Sequence, residues 1–248
     1  MIEKYRDISI IDFSDRLLTI ACDSCGGVGL LDGDTVRADG FNVGYHTAFV
    51  ALAETMAIGA EPLLIVDTLS VSLESYGKSI LYGIKSATEE AGLDSNKSIT
   101  GSSEENFIVQ STGIGVTVLG QLNKADFKPK PLETSYDVVV IGTPLVGDEV
   151  IQRKSEILTL AAIKNLLRQN YVLDLVPVGS KGILYETNQM SETLGMNFYE
   201  NTLTPDLIRK SAGPSTCAVA AINTDQLKNI MKLIDIPVSL IGTFKKQR

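Results

Sequence analysis

VGYHTAFVALAETMAIGAEPLLIVDTLS, residues 43–70, holds two different hydrophobic patterns joined by a short turn. In its first part Phe49, Val50, Ala53, Met56 and Ala57 recur at helical spacing and give a broad apolar face, which Gly59 closes. In its second part, EPLLIVDTLSV (61–71), a nearly unbroken apolar run reads as a buried strand, with Pro62 tolerated at its start. Two residues break these patterns. Glu54 edges the apolar face of the helix, where a carboxylate costs desolvation unless a cation meets it. Asp67 sits inside the strand run, where alternation sends it to the side opposite Val66.

Working outward, SIIDFSDRLLTIACD (9–23) reads as a strand or hairpin running into a glycine loop. YGKSILYGIKSATEEAGL (76–93) reads as a second amphipathic helix, TGSSEENF (100–107) as a polar loop and TGIGVTVLG (112–120) as a strand. NKADFKPKPLETSY (123–136), with two prolines and mixed charges, is the best linker. Beyond it the pattern predicts strands at 137–142, 215–222 and 237–244, helices at 155–169, 183–195 and 224–234, and a loop at 177–182. The fold class expected is α/β (α+β), in two domains spanning 1–122 and 137–248.

The bulk composition narrows the partners. A net charge of −8 over 248 residues argues against nucleic acid or an anionic membrane as a partner. Three cysteines, no apolar run near membrane-spanning length and no leading signal pattern point to a reducing, cytoplasmic location.

ACDSCGGVG (21–29) offers two readings. Cys22 and Cys25 form a C-x-x-C, half of a zinc site or a redox pair. No second C-x-x-C completes it, His46 is the single histidine, and the glycine run that follows is a poor helix start. The other reading is a carboxylate, Asp23, next to Gly26, Gly27 and Gly29, whose backbone can close on a phosphate. Acids gather in two further loops, with Asp32, Asp34 and Asp39 in LDGDTVRADGFN (31–42) and Glu104 and Glu105 in TGSSEENF. Magnesium prefers one or two carboxylates plus phosphate oxygens, so scattered acids around a glycine loop suit a metal–nucleotide site. A P-loop and a serine-hydrolase motif are both missing, and Arg37, Lys78 and Lys97, the cations nearest these loops, read as solvated surface.

The helix–turn–strand at 43–70, with its Gly59-Ala60-Glu61-Pro62 turn, resembles the central segment of the aminoimidazole ribonucleotide (AIR) synthase superfamily. That superfamily also holds thiamine-monophosphate kinase, selenophosphate synthetase and a hydrogenase-maturation protein. TGSSEENF resembles its Gly-Gly-acid-Thr loop, with Ser102 in place of the second glycine, and DVVVIGTPLVGDEVI (137–151) resembles the start of its C-terminal domain. The ACDSCGGVG and GSSEEN variants resemble the branch of α-ribazole kinase, also called α-ribazole-5-phosphate synthase, which serves cobalamin assembly.

The resemblance implies an ATP- and Mg2+-dependent phosphotransferase acting on a small metabolite. ATP would lie against Gly26, Gly27, Gly29, Gly101 and Ser102, and magnesium would be held by Asp23, Asp39, Glu54 and one of Glu104 and Glu105. Asp23 and Glu54 would be the catalytic carboxylates. It also implies a homodimer in which the N-terminal strands of two subunits pair into a shared barrel. Two other outcomes stay open at this point: a synthase or ligase of the AIR synthase type, and a non-catalytic nucleotide- or metabolite-binding relative.

Overall fold

The computed structural model describes residues 2–127, 129, 131–201 and 203–246, so Lys128 and Lys130 of the expected linker lie outside the described residues. The chain forms two compact units, Met1–Met56 with Ala60–Ala125, and Asp126–Arg248 with Ala57–Gly59.

In the first unit β1 (Ile2–Tyr5), β2 (Ile8–Phe13) and β3 (Arg16–Gly26) form an antiparallel meander. A two-stranded parallel ribbon, β4 (Val28–Gly29) and β5 (Val36–Arg37), leads into helix α1 (Gly40–Ala57). Strand β6 (Glu61–Leu69), helix α2 (Lys78–Glu90), β7 (Ile99–Ser103) and β8 (Gly113–Asn123) complete the unit. The sheet order is β1-β2-β3-β8-β6-β7, and only the β6–β7 pair is parallel, as a helical crossover through α2 demands.

Each long strand of this sheet alternates in burial. Leu17, Ala21, Ile65, Leu69, Val116 and Val118 are buried on one side. Ile11, Leu18, Ile20, Leu64, Val66 and Leu119 point to the other, where they stay half-exposed. A sheet apolar on both faces explains why the run around Asp67 lacks clean alternation of polar and apolar residues.

The segment TGSSEENF corrects the sequence reading. Its first residues belong to β7, paired in register with Ile65–Leu69, and only the remainder is loop. A short strand of glycine and serine at a sheet edge carries no apolar alternation to betray it.

The second unit holds one antiparallel sheet in the order β10-β12-β9-β13-β11. In chain order its elements are β9 (Ser135–Ile141), α3 (Asp148–Gln152), α4 (Leu160–Leu167), β10 (Val172–Pro177), α5 (Ile183–Leu194) and β11 (Met196–Glu200). α6 (Pro205–Ile208), β12 (Ala218–Asn223), α7 (Leu227–Leu233) and β13 (Val238–Lys246) follow. Val138, Val140, Val219 and Ala221 share a core with Ile183, Met190 and Leu194 of α5, while Tyr136 and Phe244 close one end. Val139, Ile141, Ala218 and Ala220 are equally buried, so β9 and β12 are covered on both faces. β10 and β11 are strands the apolar pattern did not announce. The helix expected from Ser155 begins only at Leu160, where Thr159 accepts a hydrogen bond from the Ala162 amide as N-cap.

Helices α1 and α2 touch backbone to backbone. A Cβ on Gly44 would lie 2.0 Å from the Ile80 carbonyl oxygen, and one on Gly83 would lie 2.0 Å from the Phe41 oxygen and 2.6 Å from the Tyr45 nitrogen. Neither helix can yield without lifting from the sheet. Gly83→Ala should therefore cost about 3 kcal/mol of stability. Gly26→Ala, where a Cβ meets nothing within 4 Å, should cost less than about 0.5 kcal/mol. Urea unfolding followed by circular dichroism checks the contrast, and equal midpoints for the two variants would refute it.

Candidate nucleotide and metal site

The loop after β3 is organised by Asp34, one of the acids in LDGDTVRADGFN to which the sequence assigns no role. Asp34 is 8% exposed and accepts hydrogen bonds from Leu31 N (2.9 Å), Ser111 Oγ (3.0 Å), Thr112 N (2.7 Å) and Thr112 Oγ1 (2.7 Å). Burial alone would raise its pKa, but these donors outweigh burial and hold it below the usual carboxylate value. The same knot accounts for Gly29, where a Cβ would fall 2.3 Å from Thr112 Oγ1 and 2.4 Å from Asp34 Oδ2. Gly29 thus has a packing reason to be glycine, whatever faces its backbone. Gly27 takes a left-handed φ of 71° and donates its N–H to the Thr112 carbonyl (2.9 Å), so that donor is engaged as well. Gly26 alone of the three has open space on its Cβ side.

Asp23 occupies a different environment. It lies on β3 opposite Val116 of β8, and Val116 in turn lies opposite Asp67 of β6, which faces Gly101 of β7. Residues in one register row share a face, so two carboxylates flank a buried valine at roughly 10 Å, two strand spacings apart. Desolvation pushes Asp23 up to about 6, offset only in part by the Ser24 amide. Desolvation pushes Asp67, 5% exposed, up to about 6 also. Gly101 is explained by this pairing, since a Cβ there would sit 2.4 Å from Asp67 Oδ2.

The remaining expected ligands are distributed, and several already have work. Asp39 accepts from Asn42 N (2.8 Å) and Asn42 Nδ2 (2.7 Å), which makes it the cap of α1. Glu54 is fifteen residues further along the same helix, about 22 Å at 1.5 Å per residue, so one ion cannot have both as ligands. That corrects the expected ligand set. Glu54 itself is half-buried between fully buried Ala53 and Thr55, with Oε2 shielded from solvent. Glu104 Oε1 accepts from Asn106 N (2.7 Å) and Phe107 N (3.2 Å). Glu105 accepts from Ser72 Oγ (2.7 Å), Leu73 N (2.9 Å) and Ser103 Oγ (2.6 Å), and ties the β7–β8 loop to the start of α2. Ser102 lies exposed on β7. Among the described residues no three His, Cys, Asp or Glu side chains come together as a metal cage. What the chain offers a divalent ion is single carboxylates, the arrangement magnesium uses when phosphates supply the other oxygens.

The C-x-x-C does not form a unit. Cys22 is exposed and lies 3.3 Å from Thr117 Oγ1, while Cys25, at odd separation on the same strand, faces the other side. Burial and then the Asp23 charge raise the Cys25 thiol pKa, the reverse of what a reactive thiolate needs.

Among the described residues no helix is long and apolar enough to cross a membrane. Residues 5–121 match the family described as AIR synthase related protein, N-terminal domain. No curated protein sequence matches the chain. Its fold is similar to that of a solved structure, AaThiL complexed with AMPPCP and TMP, at TM-score 0.66 and 15% identity, covering 98% of this chain and 85% of that one. It is similar to thiamine-monophosphate kinase from Stenotrophomonas maltophilia at TM-score 0.65 and 17% identity, covering 99% and 90%. It is also similar to HypE of E. coli, a hydrogenase maturation protein, at TM-score 0.68 and 14% identity, covering 93% and 81%. The sequence match thus covers the first unit, as a domain related to AIR synthase, and the fold is shared with these structures along nearly the whole chain.

Proposed function

We propose that the protein is an ATP- and magnesium-dependent phosphotransferase that acts on a small metabolite. The observation that carries this reading is Asp23, a half-buried carboxylate with its pKa raised by desolvation, three residues along β3 from the open backbone of Gly26. A desolvated carboxylate in a protein of net charge −8 lacks a counterion of its own and gains one when a metal–nucleotide binds. The structural relative AaThiL was solved with AMPPCP, an ATP analogue, which supports a nucleotide as the ligand.

Magnesium, when bound, would neutralise phosphate charge and hold the transferring group in line. Asp23 would anchor it, and Gly26 would let the phosphates approach the backbone. Glu54 is the second carboxylate we assign to the chemistry; Gly27, Gly101 and Ser102 complete the surroundings, with Glu104 and Glu105 shaping the loop beyond β7. Such a site works by position and charge, which is what phosphoryl transfer asks of a protein. Among acceptors, α-ribazole is the one favoured by the Cys22–Gly29 and Gly101–Asn106 sequence variants.

Calorimetry should show ATP binding that collapses when a chelator removes magnesium; equal affinity with and without metal would sink the bridging role of Asp23. With α-ribazole and ATP as substrates, Asp23→Asn should lower kcat/KM about 100-fold, near 2.7 kcal/mol. Glu54→Gln should also lower it by more than about threefold, and a smaller loss, under about 1 kcal/mol, would make Glu54 a border residue of the helix.

The outer face of the first sheet supports a second copy of the chain as partner. Ile11, Leu18, Ile20, Leu64, Val66 and Leu119 form a contiguous apolar surface on adjacent strands, too large to leave wet in an isolated subunit. Sedimentation at micromolar concentration should report a dimer, and Ile20→Glu should yield monomers. A fully active monomer from the unmodified chain would rule the arrangement out.

A further inference from the structure

Between β7 and β8 the chain raises two large apolar side chains into water. Phe107 is 76% exposed and its neighbour Ile108 fully so. Single exposed apolar residues are ordinary on a protein surface. Here the two are adjacent, and the loop beneath them is fastened on both sides. On the β7 side Glu104 donates its N–H to the Leu69 carbonyl (2.9 Å), and its carboxylate accepts from Asn106 N (2.7 Å) and Phe107 N (3.2 Å). Glu105 accepts from Ser72 Oγ and Leu73 N. On the β8 side the Gln110 carbonyl accepts from Gly33 N (2.7 Å), and Ser111 and Thr112 donate to Asp34. Residues 106–109 span the gap between these anchors.

Such a tip cannot stray far. Even in extended chain, Phe107 lies within about 7 Å of Glu105 and about 10 Å of Gln110, Cα to Cα. Both anchors border groups assigned above to the nucleotide. Glu104 follows Ser103 at the end of β7, next to Ser102. Beyond Gln110, the Thr112 carbonyl accepts from Gly27 N (2.9 Å), and Gly113 pairs with Gly26. The loop therefore joins the Ser102 end of the site to the Gly26 end, and it does so with an apolar tip. Phosphates and metal find backbone and carboxylates there, but a purine needs an apolar face to lie on. Phe107 offers one, because it stacks on no other aromatic ring among the described residues.

We propose that Phe107 holds the base of the nucleotide, its ring stacked on the purine with Ile108 beside it. The inference rests on the phosphotransferase reading and deepens it, since it assigns a residue to the base and not to the phosphates. Stacking on an aromatic ring tolerates every base, so this contact supplies affinity and orientation without choosing among purines.

The chain contains no tryptophan, so Phe107→Trp places a single emitter at the loop tip. Magnesium-ATP should change the fluorescence of that variant, and magnesium tripolyphosphate, which has no base, should not. By calorimetry, Phe107→Ala should weaken ATP binding about tenfold and leave tripolyphosphate binding within about twofold, at an unchanged melting temperature. Unaltered ATP affinity in Phe107→Ala, or emission from Phe107→Trp that ignores ATP, would overturn the proposal. Equal losses for ATP and tripolyphosphate would also overturn it, by making Phe107 a support of the loop. A Phe107→Ala variant that sediments as a smaller species with its ATP affinity intact would give the tip to a subunit contact instead. Binding of magnesium-ATP by the unmodified chain upholds the nucleotide site whatever the variants do, so the two readings can be told apart; no such binding would overturn both.

Discussion

The packing of α1 against α2 is the constraint on which the first unit depends. Gly44 and Gly83 bring the two helix backbones into contact, at distances where a single methyl group has no place. Close approach lets both helices lie on one face of a six-stranded sheet. Thr55 of α1 reaches Gly120 of β8, and Gly77 just before α2 packs on the Ser72 carbonyl. Every later feature inherits this geometry. The start of α1 carries Asp39, and the Tyr76 hydroxyl, just before α2, donates to the Ala38 carbonyl at 3.0 Å, which ties the two helix entrances together.

Acids around this frame divide by what they already hold. Asp34, Asp39, Glu104 and Glu105 accept hydrogen bonds from nearby amides and hydroxyls, so they build loops and caps. Asp23 and Asp67 lie on strands, where most neighbouring amides are committed to the ladder and a single one, that of Ser24 for Asp23 and its own for Asp67, reaches the carboxylate. Their carboxylates therefore stay under-solvated and rise toward neutrality, each to about 6. Loop acids become structural because loops have spare N–H donors, whereas each of these strand acids finds a single amide.

This division also explains how far the sequence was legible. The helix–turn–strand at 43–70 could be read because its two hydrophobic periods differ and Gly59 separates them. That segment lies within residues 5–121, which match the AIR synthase related N-terminal domain. β7 was hidden because Ile-Thr-Gly-Ser-Ser has neither period, and its strand character comes from pairing with β6. The close packing at Gly29 was hidden because a missing Cβ leaves the same mark in a sequence whether the approaching atom belongs to a ligand or to Thr112. Only coordinates separate those cases. Asp67 was visible as an acid in an apolar run, but its packing on Gly101 depends on a strand that the pattern did not reveal.

The same logic bears on how an acidic chain can handle an anionic substrate. With a net charge of −8, the long-range field repels a free nucleotide, and surface cations near the site are few. A field of that sign concentrates divalent cations instead, and it favours a nucleotide that arrives already carrying one. On the proposed reading, a desolvated strand carboxylate such as Asp23 would act over the last few ångströms, where the local dielectric is low and the interaction with a divalent ion is strongest. The protein does not need a ready-made metal cage for this, and among the described residues it has none. On the proposed reading, single acids held out of water by the sheet would suffice, provided that the packing of α1 and α2 keeps the sheet covered.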